Sequence, residues 1–282
     1  MNYLITADGT ADRTRQREEI TERHSCELCG DTFTVPCRRV KAHYSNDLFT
    51  IARCNRCGLL FVDPRLSGAF RAFCYRNETH LVDWFLRGKA EGVRHAVTVL
   101  DLLALAGCRG GDLLEVGCGI GTFLDVARDR GFATIGIEVN EGTARYAAQS
   151  HRIVRGDFDD VALPSSSCDV LAMEQTLEHM ARPLATLKKA WQLLRPGGYL
   201  YIGVPQVDWL RLSLDRLSGE VRPPGSLWSP EDHLFYYTPA VMRRFLTSAR
   251  FRLVPPPLRK PKLAVRRLLG LSSGHFVARK AV

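Results

Sequence analysis

An apolar run that ends in three alternating glycines, LLEVGCGIGTFLDVA from Leu113 to Ala127, constrains this chain more than any other segment. A strand that stops at residues free to take left-handed backbone, and then resumes as an amphipathic helix, is the opening turn of a βα unit. The alternation continues on either side. Short apolar runs at about 112 to 116, 133 to 138, 152 to 155, 168 to 173 and 198 to 204 are separated by amphipathic stretches, which predicts an α/β fold on a mainly parallel sheet. A further helix opens at Thr238-Pro239, where threonine suits the N-cap and proline the first turn. Two last strands, near 250 to 254 and 275 to 280, bracket a basic, proline-broken connection. The 282 residues are enough for such a domain plus a small appendage, and no internal repeat is visible.

The appendage is read from cysteine spacing. Cys26-x2-Cys29 and Cys54-x2-Cys57 are separated by 24 residues, and each pair runs into a glycine, Gly30 or Gly58. Two thiolates two residues apart chelate one ion from a tight knuckle, and two knuckles complete a tetrahedral four-cysteine site that suits Zn2+. Four thiolates leave no open position, so the metal is expected to be structural and to supply the folding free energy of a module too small for a core of its own. His24, Cys37 and His43 stand nearby as substitute ligands. Cys74, Cys108, Cys118 and Cys168 read as buried small residues.

The net charge of +9 suggests an anionic partner until it is mapped. Residues 251 to 282 hold eight Lys/Arg and no acid, leaving 31 basic against 30 acidic residues in the first 250. A localised basic strip reads as a solvated loop, with an acidic acceptor or carrier surface as the alternative. No run approaches eighteen uncharged apolar residues and no apolar leader follows a basic start, so the expectation is a soluble cytoplasmic protein without a membrane partner.

The residues around the glycines indicate what they hold. A dinucleotide fingerprint would place its third glycine at position 122, which is Thr122, and Glu115 stands two residues before Gly117. A carboxylate there repels a pyrophosphate but suits a cofactor carrying an ammonium and a sulfonium, which points to S-adenosylmethionine rather than NAD. Glu138 closes the second strand, where a carboxylate can accept both ribose hydroxyls. Asp157 follows the third and could accept the adenine amino group while Phe158 covers the ring. Each acid taken alone is an ordinary loop residue or helix cap; as a set at successive strand ends they make a cleft.

EVGCGIGTFL, GIEVN, GDFDDVALPSSSCDVLAMEQTLEHM and LLRPGGYLYIGVP resemble the successive motifs of class I S-adenosylmethionine-dependent methyltransferases over about 110 to 255, and MEQTLEHM before a Pro-Gly-Gly turn resembles the ubiquinone-biosynthesis O-methyltransferases. The CxxC module followed by GLLFVDPRLS resembles the zinc part of sugar and natural-product tailoring methyltransferases. The resemblance implies a Rossmann-like seven-stranded sheet whose last strand, HFVARKA, is antiparallel. It also implies donor contacts at Gly117, Gly119, Glu138, Asp157 and the residues after the fourth strand, here Glu174 and Gln175, with Cys118, Gly121 and Val139 in the same set. The expected organisation is an arm at 1–23, a zinc module at 24–62, a helical linker at 63–108 and a methyltransferase domain at 109–282 with an acceptor-site insertion at 205–237. Within the linker the apolar stripe reads as Val93, Val97, Leu100, Leu103 and Leu105.

Methyl transfer to a hydroxyl needs alignment and removal of a proton, and histidine suits that near neutral pH. His179, just past the fourth strand, and His233 in EDHLFYYT are the candidate bases, each weighed evenly against a purely structural role. Trp209, Trp228, Phe235, Tyr236 and Tyr237 would wall the acceptor or simply pack. Glu174, Glu178 and His179 could instead hold a hard metal ion. The expected function is O-methylation of a small-molecule acceptor, with N- or C-methylation, a zinc-module rRNA methyltransferase and a non-catalytic cofactor-binding protein as alternatives. A nearly neutral first 250 residues and no DPPY-like motif argue against nucleic acid as partner; a homodimer is compatible with the sequence.

Overall fold

The computed structural model describes residues 21–41, 48–68, 70–71, 80–205, 207, 228–255 and 274–281. His43, Cys74, Trp209 and most of the basic strip lie outside them. The described chain forms two compact units: Met1–Ala72 with Glu178–Pro183 and Pro205–Met242, and Phe73–Leu177 with Leu184–Val204 and Arg243–Val282.

The first unit holds strands β1 (Thr21–Glu22), β2 (Thr34–Lys41), β3 (Leu48–Cys54), β4 (Leu60–Val62) and β5 (Arg65–Leu66). β1 pairs with β5, so Thr21 and Glu22 carry strand structure within the stretch expected to be a loose arm. β2, β3 and β4 form an antiparallel sheet that is completed by β11 (Phe235–Tyr236), far along the chain, on the free edge of β4. Val40, Phe49, Ile51, Leu60, Val62, Trp228 and Tyr236 share one buried cluster. The aromatics considered as an acceptor wall are mostly core: Trp228, Phe235, Tyr236 and Tyr237 are all buried.

The second unit opens with α1 (Leu81–Leu105), followed by β6 (Gly111–Val116), α2 (Thr122–Asp129), β7 (Phe132–Glu138), α3 (Glu141–Ala147), β8 (Arg152–Arg155), β9 (Cys168–Glu174), α4 (Pro183–Leu193) and β10 (Leu194–Gly203). After α5 (Pro239–Ser248), capped by the Thr238 hydroxyl accepting from Val241 N–H, come β12 (Phe251–Leu253) and β13 (His275–Lys280). The strand order is β12-β13-β10-β9-β6-β7-β8. β6 to β10 pair in parallel, and β13 runs antiparallel between β10 and β12, as the resemblance implied. Val170 to Met173 and Leu200 to Ile202 are buried in unbroken runs, as expected for central strands covered on both faces. On α1 the buried stripe is Ala96, Val99, Leu100 and Leu103, spaced at i, i+3, i+4 and i+7; the expected Val93 and Leu105 are exposed, because the stripe turns half a step from the one the larger side chains suggested. The described part of the basic strip has structural partners: Lys280 donates to the Leu194 carbonyl and Arg279 to that of Gly197. Among the described residues no helix is long and apolar enough to cross a membrane.

Candidate functional site

Each unit holds one cluster of anion-forming side chains. In the first, Cys26, Cys29, Cys54 and Cys57 bring their four sulfurs within 4.8 Å of one another, with Cys26–Cys57 at 3.3 Å and Cys29–Cys54 at 3.5 Å. The two knuckles are built alike. Gly30 N–H donates to the Cys26 carbonyl and Cys26 N–H to that of Asp31; Gly58 N–H donates to the Cys54 carbonyl and Cys54 N–H to that of Leu59. Gly30 and Gly58 have φ of 72° and 78°, the left-handed conformation that closes each turn. Backbone N–H groups of Leu28 and Cys29 point at the Cys26 sulfur and that of Leu59 at Cys57. Burial nevertheless pushes the Cys26 thiol up, and that of Cys57 up to about 11. Four sulfurs about 3.8 Å apart are what a tetrahedral ion with 2.3 Å bonds requires, so the donor set fits zinc and a cation would reverse the cost of ionising the thiols. The substitute ligands are engaged elsewhere: His24 Nδ1 lies 3.1 Å from the buried Arg65 guanidinium, and Cys37 packs against the strand cluster.

The same unit holds His179 and His233, rings edge to face at 4.9 Å, with Glu178 beside them. His179 Nδ1–H donates to the Asp232 carbonyl at 2.9 Å. Burial, then the charges of His233 and Arg71, push its pKa down to about 3, so the imidazole is neutral at physiological pH.

In the second unit the donor loop follows β6. Gly117 and Cys118 N–H both donate to the Ile137 carbonyl, folding the loop onto the end of β7. Gly117 has φ 74°, and a Cβ there would lie 2.7 Å from the Thr176 hydroxyl, which is itself within hydrogen-bond distance of the Val116 and Glu174 carbonyls. Glycine is therefore required by both backbone and packing. Glu138 holds the loop: Oε2 accepts from Gly119 N–H and Oε1 from Asn140 N–H, both at 2.8 Å. The Thr143 hydroxyl is directed at the same carboxylate. Val139 follows, its N–H also directed at that carboxylate. Glu115 is buried and its Oε2 has no hydrogen-bond partner among the described residues. Burial, and next the charges of Glu174 and Glu138, push its carboxyl well above the usual range. Burial favours the protonated form of such a group, and a cation beside it would restore its charge.

Asp157 is exposed beyond β8, with Oδ1 accepting from Asp159 N–H, while the Phe158 ring is buried with Lys189 Nζ 5.0 Å from its centre. Glu174 ends β9, and exposed Gln175 takes φ 49°, an uncommon conformation for a non-glycine residue that marks a strained strand end. Sequence reasoning passed over Thr176, His95, Tyr201 and His275, which surround Glu174; a polar residue inside an apolar strand or on a half-exposed helix face gives no spacing signal.

A sheet of this order, with a glycine loop and acids at the carboxyl ends of successive parallel strands, defines the class I S-adenosylmethionine-dependent methyltransferase fold. The chain belongs to the methyltransferase-domain family, whose model matches residues 91–255, and the family supports S-adenosylmethionine as cofactor. Over 103 residues it is 33% identical to a Mycolicibacterium smegmatis protein described as "Probable S-adenosylmethionine-dependent methyltransferase", covering 35% of this chain and 39% of that one. Over 160 residues it is 28% identical to the ubiquinone biosynthesis O-methyltransferase of Caulobacter vibrioides, covering 52% and 61%. These matches thus span between about a third and two thirds of the curated relatives' length. A Burkholderia thailandensis 1,6-didemethyltoxoflavin-N1-methyltransferase, solved with 1,6-didemethyltoxoflavin and S-adenosylhomocysteine, shares the fold at a TM-score of 0.51 and 18% identity, covering 81% of this chain and 97% of its own.

Proposed function

We propose that this chain transfers a methyl group from S-adenosylmethionine to a hydroxyl of a small-molecule acceptor, and that Cys26, Cys29, Cys54 and Cys57 hold a structural zinc ion. The observation that carries the reading is Glu115, a buried carboxylate with an unpartnered oxygen, set beside the charges of Glu138 and Glu174. An uncharged or anionic cofactor leaves that cost standing; an ammonium and a sulfonium remove it. The donor, when bound, supplies an electrophilic methyl carbon whose bond to sulfur breaks as the acceptor oxygen attacks. The chain's own part is to hold and align. Gly117, Cys118, Gly119 and Gly121 form the floor, Glu138 and Val139 take the ribose, Asp157 the adenine amino group beside Phe158, and Glu174 and Gln175 border the reacting end. The relatives named for ubiquinone O-methylation favour oxygen as the acceptor atom. His179 and His233 are the candidate proton acceptors; His179 is in the neutral form a base needs, with limited driving force given so acidic a conjugate acid.

Calorimetry tests the donor site without an acceptor. Wild type should bind S-adenosylmethionine, and Glu138→Ala should lose two charge-assisted hydrogen bonds of about 1.5 kcal/mol or more each, at least 100-fold in affinity. Unchanged affinity rejects the assignment.

A further inference from the structure

The second unit carries a group of side chains of which the donor site accounts for Glu174 alone. His95 from α1, Glu174 from the end of β9, Tyr201 from β10 and His275 from the start of β13 meet at the carboxyl edge of the sheet. Register brings them there: Gly203, the last residue of β10, pairs with Glu174 on one side and His275 on the other. A Cβ at position 203 would collide with the Glu174 carboxylate, so the glycine leaves the space into which that side chain extends.

Hydrogen-bond arithmetic then fixes the protons. Tyr201 Oη donates to Glu174 Oε2 at 2.5 Å and lies 2.7 Å from His275 Nδ1. The phenol has one proton; given to the carboxylate, it leaves the oxygen to accept from His275 Nδ1–H, and the Nε2 lone pair of that ring is uncommitted. On the other side, His95 Nε2 is a buried atom in ion-pair contact with Glu174 Oε1 at 3.1 Å. Two imidazoles and a carboxylate thus converge, one donor atom of each within 4.8 Å of the others. Donors about 2.0–2.2 Å from a shared ion stand roughly 3–3.5 Å apart, the spacing His95 and Glu174 already hold.

We propose that His95, Glu174 and His275 bind a divalent first-row transition ion, with Tyr201 as the positioning residue that orients Glu174 and His275. Two nitrogens and one oxygen suit iron(II), cobalt, nickel or zinc better than magnesium, which takes oxygen ligands. Three protein ligands leave positions open, and an acceptor hydroxyl bound at one of them would ionise more readily. That last consequence rests on the methyl-transfer reading; binding of the ion does not.

The test uses the full chain as purified, with cobalt(II) as the probe, titrated against a chromophoric chelator. Wild type should take up one cobalt per chain beyond the metal held by the cysteines, and proton NMR of that species should show two strongly shifted, solvent-exchangeable imidazole N–H resonances. His95→Ala and His275→Ala should each weaken uptake more than tenfold and Tyr201→Phe about tenfold, all with S-adenosylmethionine affinity retained in calorimetry as a check on folding. No uptake beyond the cysteine site, no shifted imidazole resonances in wild type, or folded variants that bind cobalt like wild type would each overturn the proposal. Cobalt binding without donor binding would keep the metal site and reject the methyltransferase reading; the reverse would do the opposite.

Discussion

The two units set the same electrostatic problem and answer it differently. Four thiols in one and a buried Glu115 beside Glu138 and Glu174 in the other are gathered where burial penalises ionisation, raising Cys26, Cys57, Glu115 and Glu138. Around the cysteines the backbone closes in two turns with the same hydrogen-bond pattern, joined to a small sheet. Around the carboxylates one oxygen of Glu115 is left without a partner among the described residues, beside a loop whose Gly117 has no room for a Cβ. A closed cage suits a cation that is never exchanged, and an unfinished one suits a cation that comes and goes at each turnover.

The largest effect should come from removing the zinc proposed for the four cysteines. Cys26→Ser is expected to abolish zinc retention and, because metal binding in such modules is worth on the order of 10 kcal/mol, to unfold the first unit's sheet. Metal analysis together with hydrogen exchange over β2 to β4 checks this; a protected sheet without zinc would erase the contrast. A smaller, opposite effect is expected at Glu115. Glu115→Gln should raise the stability of the donor-free protein by about 1 kcal/mol, since the raised carboxyl penalises the fold at neutral pH, while lowering S-adenosylmethionine affinity roughly tenfold. Thermal melts with and without donor should therefore shift in opposite directions.

The third effect is the most gradual and concerns acid. His179 titrates near 6.5 when unfolded and about 3 when folded, so its contribution is complete above pH 6.5 and is lost as pH falls towards 3. The slope is at most about 1.4 kcal/mol per pH unit, and less here because 24% of the side chain is exposed. Glu115 has the reverse sign: its folded pKa is raised, so acid relieves it. Donor-free protein should thus lose structure in the first unit before the second on acidification, and His179→Asn should narrow the gap seen by site-resolved hydrogen exchange.

The sheet was legible because its central strands are covered on both faces. The run at 168 to 173 and that at 133 to 138 reappear as β9 and β7 with an end moved by one residue. The cysteine cluster was legible because chelation fixes spacing along the chain. What the sequence hid depends on distant pairing. β11 is two residues long and says nothing of joining β4, and Tyr201 and His275 sit in strands whose apolar neighbours mask them. The α1 stripe was misplaced because Ala96, the smallest apolar residue on that face, is buried while larger Val93 is not.

The late return of β11 bears on how the protein is made. During synthesis both cysteine knuckles have emerged by residue 57, yet the strand that covers the free edge of β4 follows only at 235. For most of translation that edge offers unpaired backbone groups to any passing strand. A fragment ending at residue 72 would keep the metal ligands and still lack β11, so the first unit cannot be excised as an N-terminal piece: chopping the gene there is expected to yield a zinc-bound product prone to edge-to-edge association.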